Sequence, residues 1–330
     1  MAATTTYTTY EQVGIREDLS NAIYDISPME TPFVTSIQQG APAKNRYIEW
    51  QTDALATATV TGAVEGADAT YYTATATVRP RNYTQIFQRS VIVSGTAQAV
   101  TTAGREEELA YQIAKRGREL KRSIEKAMCG NYASVAGSNA TARRLAGFEA
   151  WIKTNDTRGS GGATAGADGG YTTTGLVVAA TDASSSGQRT FTETRMKAVI
   201  LNCWSQGGQP SIVMVGPVNK QKASAFAGIT TKYSDFGNNP NSPGALAIVA
   251  SADLYLSDFG KLRIIPNRFS RERTAMIYDP DYISRHVLRP FAVNPLAKAG
   301  DADKRQLITE LTLCMRNEKA HGCVADLTTT

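Results

Sequence analysis

The stretch REEELAYQIAKRGRELKRSIEKAM, residues 105–128, predicts one long helix with a single apolar face. Its apolar and small residues recur at helical spacing, which places them on one side: Leu109, Ile113, Gly117, Leu120, Ile124 and Met128. Three glutamates at 106–108 lie near its N-terminal end and basic residues at 121, 122 and 126 lie near its C-terminal end, so both ends suit the helix dipole. Charge pairs such as Lys121–Glu125 are expected to stabilise it. Its length is about 36 Å, at about 1.5 Å per residue. We expect this helix to lie across the body of the protein, with Gly117 at its closest approach to a strand backbone.

The composition is that of a folded protein and not of a disordered chain. The 330 residues are 42% hydrophobic and carry a formal net charge of +5. This length allows one large domain or two ordinary ones. The charge permits contact with acidic partners but does not by itself indicate a nucleic-acid-binding protein. No secretory signal is recognised before Arg16 and no apolar run is long enough to cross a bilayer, so no membrane contact is expected.

The residue types on which most enzyme sites depend are scarce in this sequence. Its two histidines, His286 and His321, have no Cys, Asp or Glu at a spacing typical of metal ligands. The common nucleophile, metalloprotease, zinc and phosphate-loop motifs do not occur. The cysteines at 129, 203, 314 and 323 form no CxxC pair, so buried thiols are expected over zinc ligands or disulfides. We predict a protein that is not an enzyme and that uses no metal and no cofactor.

Residues 1–45 have the composition of an extended arm. A threonine-rich start leads to a short amphipathic piece at 16–26, and Pro28, Pro32 and Pro42 then disfavour helix. A frayed terminus is one interpretation. Apolar residues such as Phe33 and Val34 are unusual in a solvated tail, which favours an arm that docks on another subunit.

Residues 46–93 predict a long β-hairpin. Runs with a period of two, ATATV at 56–60 and TATATV at 73–78, flank a turn-like tip, and a strand at 83–93 follows. About twenty residues a side at about 3.3 Å each would reach about 60 Å. Alanine and threonine bury little area and an isolated ribbon is marginally stable, so we expect it to lie on a neighbouring molecule. The alternative is a pair of extra strands on the sheet of its own chain.

The middle of the chain predicts an α/β layer. Residues 155–175, rich in glycine, serine and threonine, are expected to form a mobile surface loop. A capping box formed by Thr190 and Glu193 then predicts a helix, which should bury Met196, Val199, Ile200, Cys203 and Trp204. The apolar strand SIVMV at 211–215 and a helix at about 218–226 follow.

Strand patterns fill most of the remaining sequence, at 245–250, 253–257, 261–265, 274–278, 282–293, 306–314 and 323–327. Between them, Arg268, Phe269, Arg271 and Arg273 alternate charge with an aromatic ring. Such a cluster suits phosphate binding or base stacking. The other interpretation, a solvated loop or salt bridges between subunits, is favoured.

Four stretches of the chain are similar in sequence to one family of proteins. They are RNYTQIFQRSVIVSGTAQAV (81–100), YDPDY (278–282), RPF (289–291) and ELTLCMRNEKAHG (310–322). With the order arm, hairpin, long helix, α/β layer and returning strands, the whole chain resembles the major capsid proteins of tailed bacteriophages with the Hong Kong 97-type fold. The local sequence is similar in particular to that of the branch named after the capsid protein of phage SU-ten.

This resemblance implies an α+β fold with a fixed order of parts. These are an N-terminal arm (1–45), an extended hairpin or E-loop (46–93), a peripheral domain (94–145) with the spine helix (105–128), an axial α/β domain (146–290), and return strands of the peripheral domain (291–330). The axial domain would lie near the symmetry axes of hexamers and pentamers.

The resemblance also implies a function and partners. Copies would assemble into the hexamers and pentamers of an icosahedral head, in the host cytoplasm, around double-stranded DNA that touches the inner surface without sequence specificity. A separate scaffolding protein, a portal and a cement or decoration protein are further expected partners. An encapsulin-type compartment shares the fold, and a β-rich tail, adhesin or carbohydrate-binding protein is the alternative from another class.

The hairpin supplies the candidate contacts between subunits. Arg79, Arg81 and Arg89 lie near its base, and Glu65 lies at its tip. We expect the arginines of one copy to face acids such as Glu65 of the next.

The founding member of the fold locks its shell with a Lys–Asn bond whose lysine lies on the E-loop. In this sequence no lysine occurs between Lys44 and Lys115. Mature particles, boiled and reduced in SDS, should therefore run as a single monomer band. A ladder of covalent oligomers would contradict this prediction.

Overall fold

The computed structural model describes residues 28–60, 62–69, 71, 73–74, 76–102, 104, 107–161, 163–226 and 253–329. The amphipathic piece at 16–26 and the strand expected at 245–250 lie outside the described residues. The helices are α1 (Pro32–Ser36), α2 (Gly95–Ala99), α3 (Glu108–Met128), α4 (Phe148–Trp151), α5 (Glu193–Ser205) and α6 (Pro217–Ser224). The strands of the first half are β1 (Gln38–Gln39), β2 (Tyr47–Glu49), β3 (Arg81–Tyr83), β4 (Gln85–Ser94), β5 (Asp156–Thr157), β6 (Gly170–Tyr171) and β7 (Val177–Val178). Those of the second half are β8 (Ile212–Val215), β9 (Leu254–Ser257), β10 (Gly260–Pro266), β11 (Ala275–Tyr278), β12 (Ile283–Pro295), β13 (Ala302–Met315) and β14 (Gly322–Val324).

The long helix expected from the sequence is α3, which begins at Glu108 and ends at Met128. Its apolar face packs on β4 and β13. The buried residues of the helix are Leu109, Leu120, Ile124, Glu125 and Met128, and Ile113 is half-buried against the same core. The expected pair between Lys121 and Glu125 is absent because Glu125 faces inward. On the outer side of the helix, a charge pair joins Arg116 to Glu119 at 2.7 Å.

Gly117 lies opposite side chains and not opposite a strand backbone, which corrects the sequence-based expectation. A Cβ placed on it would stand 3.7 Å from Cζ of Phe291 and 3.8 Å from Cδ2 of Leu307. These are ordinary van der Waals distances, so a methyl group fits at this position and a large side chain does not.

The sheet beneath α3 has the order β1-β12-β13-β4 within the described residues. The long strand β13 is central, antiparallel to β12 on one side and to β4 on the other. Residues 85–94 therefore pair with 302–311, on strands distant in sequence. This pairing corrects the long hairpin expected at 46–93, because its last part, from residue 85 onward, belongs to the sheet under the helix. Among the described residues, pairing within the hairpin joins β2 to β3 and extends to a bridge between Thr52 and Val78.

The second sheet has the order β5-β14-β11-β8-β10-β9 within the described residues. Helix α5 covers one face of it, where Met196, Val199, Ile200 and Cys203 join a core cluster with residues of β8, β10 and β11. The C-terminal strand β14 pairs with β11 and β5 and so belongs to this sheet. The predicted boundary between 290 and 291 falls inside β12. The division into domains stays a prediction, and β14, which was expected among the return strands at 291–330, pairs with β11 and β5 of the second sheet.

Two local expectations near this sheet were wrong. The helix cap of α5 is Thr192, whose hydroxyl accepts from the amide of Arg195, and not Thr190. Trp204 is 50% exposed and stacks on Phe259 with ring centroids 5.0 Å apart, because it lies on the outer side of the helix.

Replacing Gly117 with alanine should stabilise the subunit by about 1 kcal/mol, since glycine is about that much less favourable inside a helix and the added methyl meets no close atom. Gly117→Phe should instead destabilise it by about 1–3 kcal/mol through overpacking. Urea unfolding of the unassembled chain measures both. Equal destabilisation by the two variants would contradict the observed spacing.

His321 should make the fold sensitive to acid. It is fully buried, its Nδ1 accepts from the amide of Asp279 at 3.2 Å, and burial lowers its pKa from 6.5 to about 3. As the pH falls below 6.5, the imidazole of His321 gains a proton in the unfolded chain but stays neutral in the folded one. The free energy of unfolding therefore falls between pH 6.5 and about pH 3, by up to about 1.4 kcal/mol per pH unit. Urea unfolding from pH 7 to pH 4 should show a shallower decline for His321→Asn, whose Oδ1 keeps the acceptor. A parallel decline would count against this assignment.

Candidate functional site

The ribbon formed by residues 50–80 leaves the body of the subunit at a base built from charge pairs and backbone bonds. Glu49 lies 3.6 Å from Nε of Arg79 and 3.8 Å from Nη1 of Arg81. Arg81 also donates to the carbonyl of Thr174 at 2.7 Å, and its amide donates to Gly175 at 3.0 Å. Gly175 has φ +77°, and a Cβ there would meet the carbonyl of Arg79. The base is thus fixed to a loop of the same chain.

Trp50 continues this attachment at the foot of the ribbon. Its Nε1 donates to the carbonyl of Arg316 at 3.1 Å, and its ring lies 5.2 Å from that of the fully buried Trp151. The ribbon therefore leaves the subunit in a defined direction.

Beyond the bridge between Thr52 and Val78, the described part of the ribbon has no strand. Its large apolar side chains are at least 78% exposed, and these are Leu55, Val60, Val64 and Tyr71. Glu65 is exposed at the turn that includes Gly66, which has φ +83°. The ribbon thus presents apolar surface that the isolated subunit leaves in water.

The proposed contact arginines have different surroundings. Arg79, with a side chain 67% exposed, and Arg81, 26% exposed, both have Glu49 of their own chain as a partner. Arg89 is exposed on β4 and lies 3.3 Å from the hydroxyl of Ser123 on α3. Their contact with a neighbouring copy stays a prediction. Arg81→Glu is a poor test of it, because the change would also place two carboxylates together at the ribbon base.

A second feature is the carboxylate of Glu125, which holds the arm onto α3. It accepts from the amides of Phe33 at 2.7 Å and Val34 at 2.9 Å, and from the side chain of Asn267 at 2.7 Å. Burial raises its pKa, and these three hydrogen bonds oppose the increase. The arm then runs along β12, to which β1 pairs in parallel. The described part of the arm is thus docked on its own subunit, in contrast to the expectation of docking on another.

Phe33 anchors this arm in the core. It is fully buried, and its ring lies edge-on to those of Phe148 and Tyr278, at 6.0 and 5.4 Å. The hydroxyl of Tyr278 lies 2.7 Å from that of Ser36 on the arm.

A third feature is a buried ionic cluster centred on Glu149 of α4. Arg158 and Arg271 approach its two carboxylate oxygens at 3.2 and 2.5 Å, and Thr274 donates to it at 2.7 Å. Arg271 also reaches Asp182 at 2.5 Å. Breaking one member would leave an uncompensated buried charge, so such a cluster fixes geometry more than it adds stability.

Asp326 forms a similar link at the C-terminal end of the chain. Its carboxylate accepts from the amides of Gly159 and Ala183, at 3.0 and 2.8 Å, and lies 3.3 Å from Arg273. Its backbone has φ +56°, a strained value for a residue other than glycine. The expected mobile loop at 155–175 is therefore wrong for its packed parts, which include β5, β6 and Arg158.

These clusters also settle the arginines at 268–273. Arg271 and Arg273 bind carboxylates of their own chain, and Phe269 lies under the guanidinium of Arg122 at 5.4 Å. For Arg271 and Arg273 the expectation of a solvated loop or of bridges between subunits is thus replaced by internal pairs, whereas Arg268 is exposed. Sequence reasoning missed Glu125, Glu149 and Asp326, and the signal for Glu125 was its place on the apolar face of the helix.

Other chemistry is sparse in the part of the chain that the structure describes. It holds no group of His, Cys, Asp and Glu side chains placed to bind a metal ion. The four cysteines are buried and form no disulfide. Among the described residues, no helix combines the length and the apolar character that a membrane crossing requires.

Comparison with known proteins gives a consistent result. The family model of the SU10 major capsid protein matches residues 2–328. A major capsid protein of Escherichia phage Phieco32 is 30% identical over 350 aligned residues, which cover 98% of this chain and 97% of the relative.

Solved structures share the fold at low sequence identity. The capsid asymmetric unit of cyanophage A-1(L) has a TM-score of 0.66 at 12% identity, covering 98% of this chain and 99% of that one. A phage G structure of major capsid and decoration proteins gives 0.57 at 9%, covering 98% and 100%. An encapsulin complex from Synechococcus elongatus gives 0.54 at 8%, covering 96% and 98%.

The matching neighbours share a shell fold, and the α+β architecture agrees with the Hong Kong 97-type fold expected from the sequence. The encapsulin shares only this fold, whereas the family match extends along nearly the whole chain. The chain belongs to the SU10 major capsid protein family and is a phage major capsid protein, a component of the virion.

Proposed function

We propose that copies of this chain assemble into the hexamers and pentamers of an icosahedral head, each laying its ribbon on the next copy. The observation that carries this proposal is the exposure of Leu55, Val60, Val64 and Tyr71 along a ribbon that has no core of its own. A two-stranded ribbon is marginal in water. Apolar surface of this kind marks a site of contact with another protein.

The rest of the subunit supports the same arrangement. The ribbon base is held by Glu49, Arg81 and Trp50, so the direction of the ribbon is set before any neighbour is met. The arm and the ionic clusters make the body rigid through contacts within the chain. A rigid body with one projecting ribbon, whose apolar side chains have no packing partners in the subunit, is suited to repeated, identical contacts.

Further partners follow from a head that holds a genome. The proposed site of assembly is the host cytoplasm. The proposed cargo is double-stranded DNA, which contacts the inner surface of the head through diffuse positive charge and without sequence specificity. A portal, a separate scaffolding protein and a decoration protein complete the proposal. Decoration proteins are named in the phage G structure, which supports such a partner by analogy.

Two alternative functions can be distinguished from assembly into a phage head. An encapsulin-type compartment has the same fold, but the matched family is a phage capsid family. A tail, adhesin or carbohydrate-binding protein would appear as monomers or fibrous trimers in electron micrographs of the purified chain, where closed shells or hexamers are expected.

Charges placed on the ribbon should abolish assembly without unfolding the subunit. Val60→Asp/Val64→Asp puts two carboxylates where apolar contact is proposed, and both positions are exposed in the subunit. We expect loss of shells and hexamers by electron microscopy, with a thermal midpoint within about 2 °C of the unmodified chain, since exposed substitutions change stability little.

The matched control is Val60→Thr/Val64→Thr, which keeps the shape of the side chains and should retain assembly at reduced yield. Normal shells from the aspartate variant would overturn the proposed role of the ribbon.

A further inference from the structure

We propose that the short hairpin of β6 and β7 is a latch on the ribbon base, and that a proton shared by Asp156 and Asp168 holds this latch closed. One end of the hairpin meets the buried ionic cluster, and its turn meets Arg81. The latch belongs to the single subunit, so it can be tested whether or not shells form.

The turn of the hairpin carries the acceptors that hold the ribbon base. The carbonyls of Thr174 and Gly175 accept from the guanidinium and from the amide of Arg81, at 2.7 and 3.0 Å. The turn is itself closed by the amide of Gly175, which donates to the carbonyl of Thr172 at 2.8 Å. A displacement of the hairpin would therefore break both bonds to Arg81.

The other end of the hairpin is pressed against α4. A Cβ on Gly169 would stand 2.4 Å from the carbonyl oxygen of Ala150, and the ring of Tyr171 lies 6.3 Å from that of the buried Trp151. Gly169 follows Asp168 directly in the chain. Because the backbone at this point has close neighbours, a displacement of Asp168 would move the hairpin and would not be absorbed by a loose connection.

Asp168 reaches the same guanidinium as Asp156. Their carboxylates lie 3.4 and 2.5 Å from Nε of Arg158, and a hydrogen bond joins the two carboxyl groups. Such a bond requires a proton on one of them, since two ionised carboxylates at this distance repel each other. The side chain of Asp156 is 8% exposed and that of Asp168 is 49% exposed. Loss of the proton should therefore release Asp168 to water.

The surroundings of the pair favour the proton. Burial raises the pKa of Asp156 to about 7; Arg158 opposes the increase and Asp168 adds to it. Cys323 of β14 and Arg189, before α5, also face Asp156. Carboxyl groups outnumber guanidinium groups in the cluster, which contains Glu149, Asp156, Asp168 and Asp182 against Arg158 and Arg271.

The raised pKa sets the direction of the pH effect. With the hairpin closed, the pair keeps its proton up to about pH 7, whereas in the open hairpin it loses the proton near 3.8, the ordinary pKa of an aspartate. Opening should therefore become more frequent as the pH rises from about 4 to about 7, by up to about tenfold per pH unit, and should change little above pH 7. The effect is opposite in sign to that of His321, which destabilises the whole subunit in acid.

Hydrogen–deuterium exchange of the unassembled full-length chain measures this opening. Between pH 5 and pH 8, with correction for the intrinsic pH dependence of exchange, peptides that cover 170–178 and 79–83 should lose protection together. The loss should reach up to about a hundredfold at pH 7 and then level off. Protection that does not change with pH, or a change confined to 170–178, would overturn the inference.

Asp168→Asn separates the contact from the proton, because its amide can donate to Asp156 at every pH. Both peptides should stay protected in this variant and should no longer respond to pH. The matched control is Asp253→Asn, which makes the same change of charge at a side chain 81% exposed and outside the cluster, and which should keep the pH response. An equal pH response in Asp168→Asn and in the unmodified chain would assign the effect to another group and overturn the inference.

Discussion

The subunit depends on one buried carboxylate whose described hydrogen-bond partners are uncharged. Glu125 joins the arm at Phe33 and Val34, the long helix on which it lies, and Asn267 near the second sheet. Burying an ionised group is costly, and three hydrogen bonds offset that cost only while all three parts are in place. Glu125 therefore stabilises the docked position of the arm, because a shift of the arm would remove two of the hydrogen bonds to its carboxylate.

Polar and apolar contacts have separate roles in this protein. Inside the subunit, buried carboxylates fix the connections between layers, each with several partners. Glu149 and Asp326 are two of them, and Glu310 of β13 is a third, with Arg143, Arg289 and the hydroxyl of Thr84 as partners. On the projecting ribbon, the large apolar side chains stand among alanines and threonines and do not pack on a sheet or helix of the subunit. A subunit whose shape is fixed by directional bonds can present a weakly structured ribbon without losing its own stability.

The sequence was informative where a pattern is local. The spacing along α3 predicted its extent and apolar face, and alternation predicted β13. It was misleading where partners are distant, because a period of two does not say which strand is paired: residues 85–94 belong with 302–311 and not with 46–60. Glu125 illustrates the same limit of sequence-based prediction. Its spacing from Lys121 is that of a charge pair on a helix surface, and nothing in the local sequence indicated its distant partners Phe33, Val34 and Asn267. The glycine-rich segment around Arg158 gave no indication that this residue pairs with the buried carboxylates of Glu149 and Asp156.

In the proposed shell, each copy both gives one ribbon and receives one, so a closed ring gains a contact for every subunit. The alanine and threonine of the ribbon bury little area, and each contact is weak and reversible by itself. Ring closure makes the last contact intramolecular and raises its effective concentration. Weak contacts let misplaced subunits leave during assembly, and the closed ring then holds them without a covalent bond. A ribbon with no lysine is consistent with a shell stabilised by the number of its contacts and not by the strength of any one.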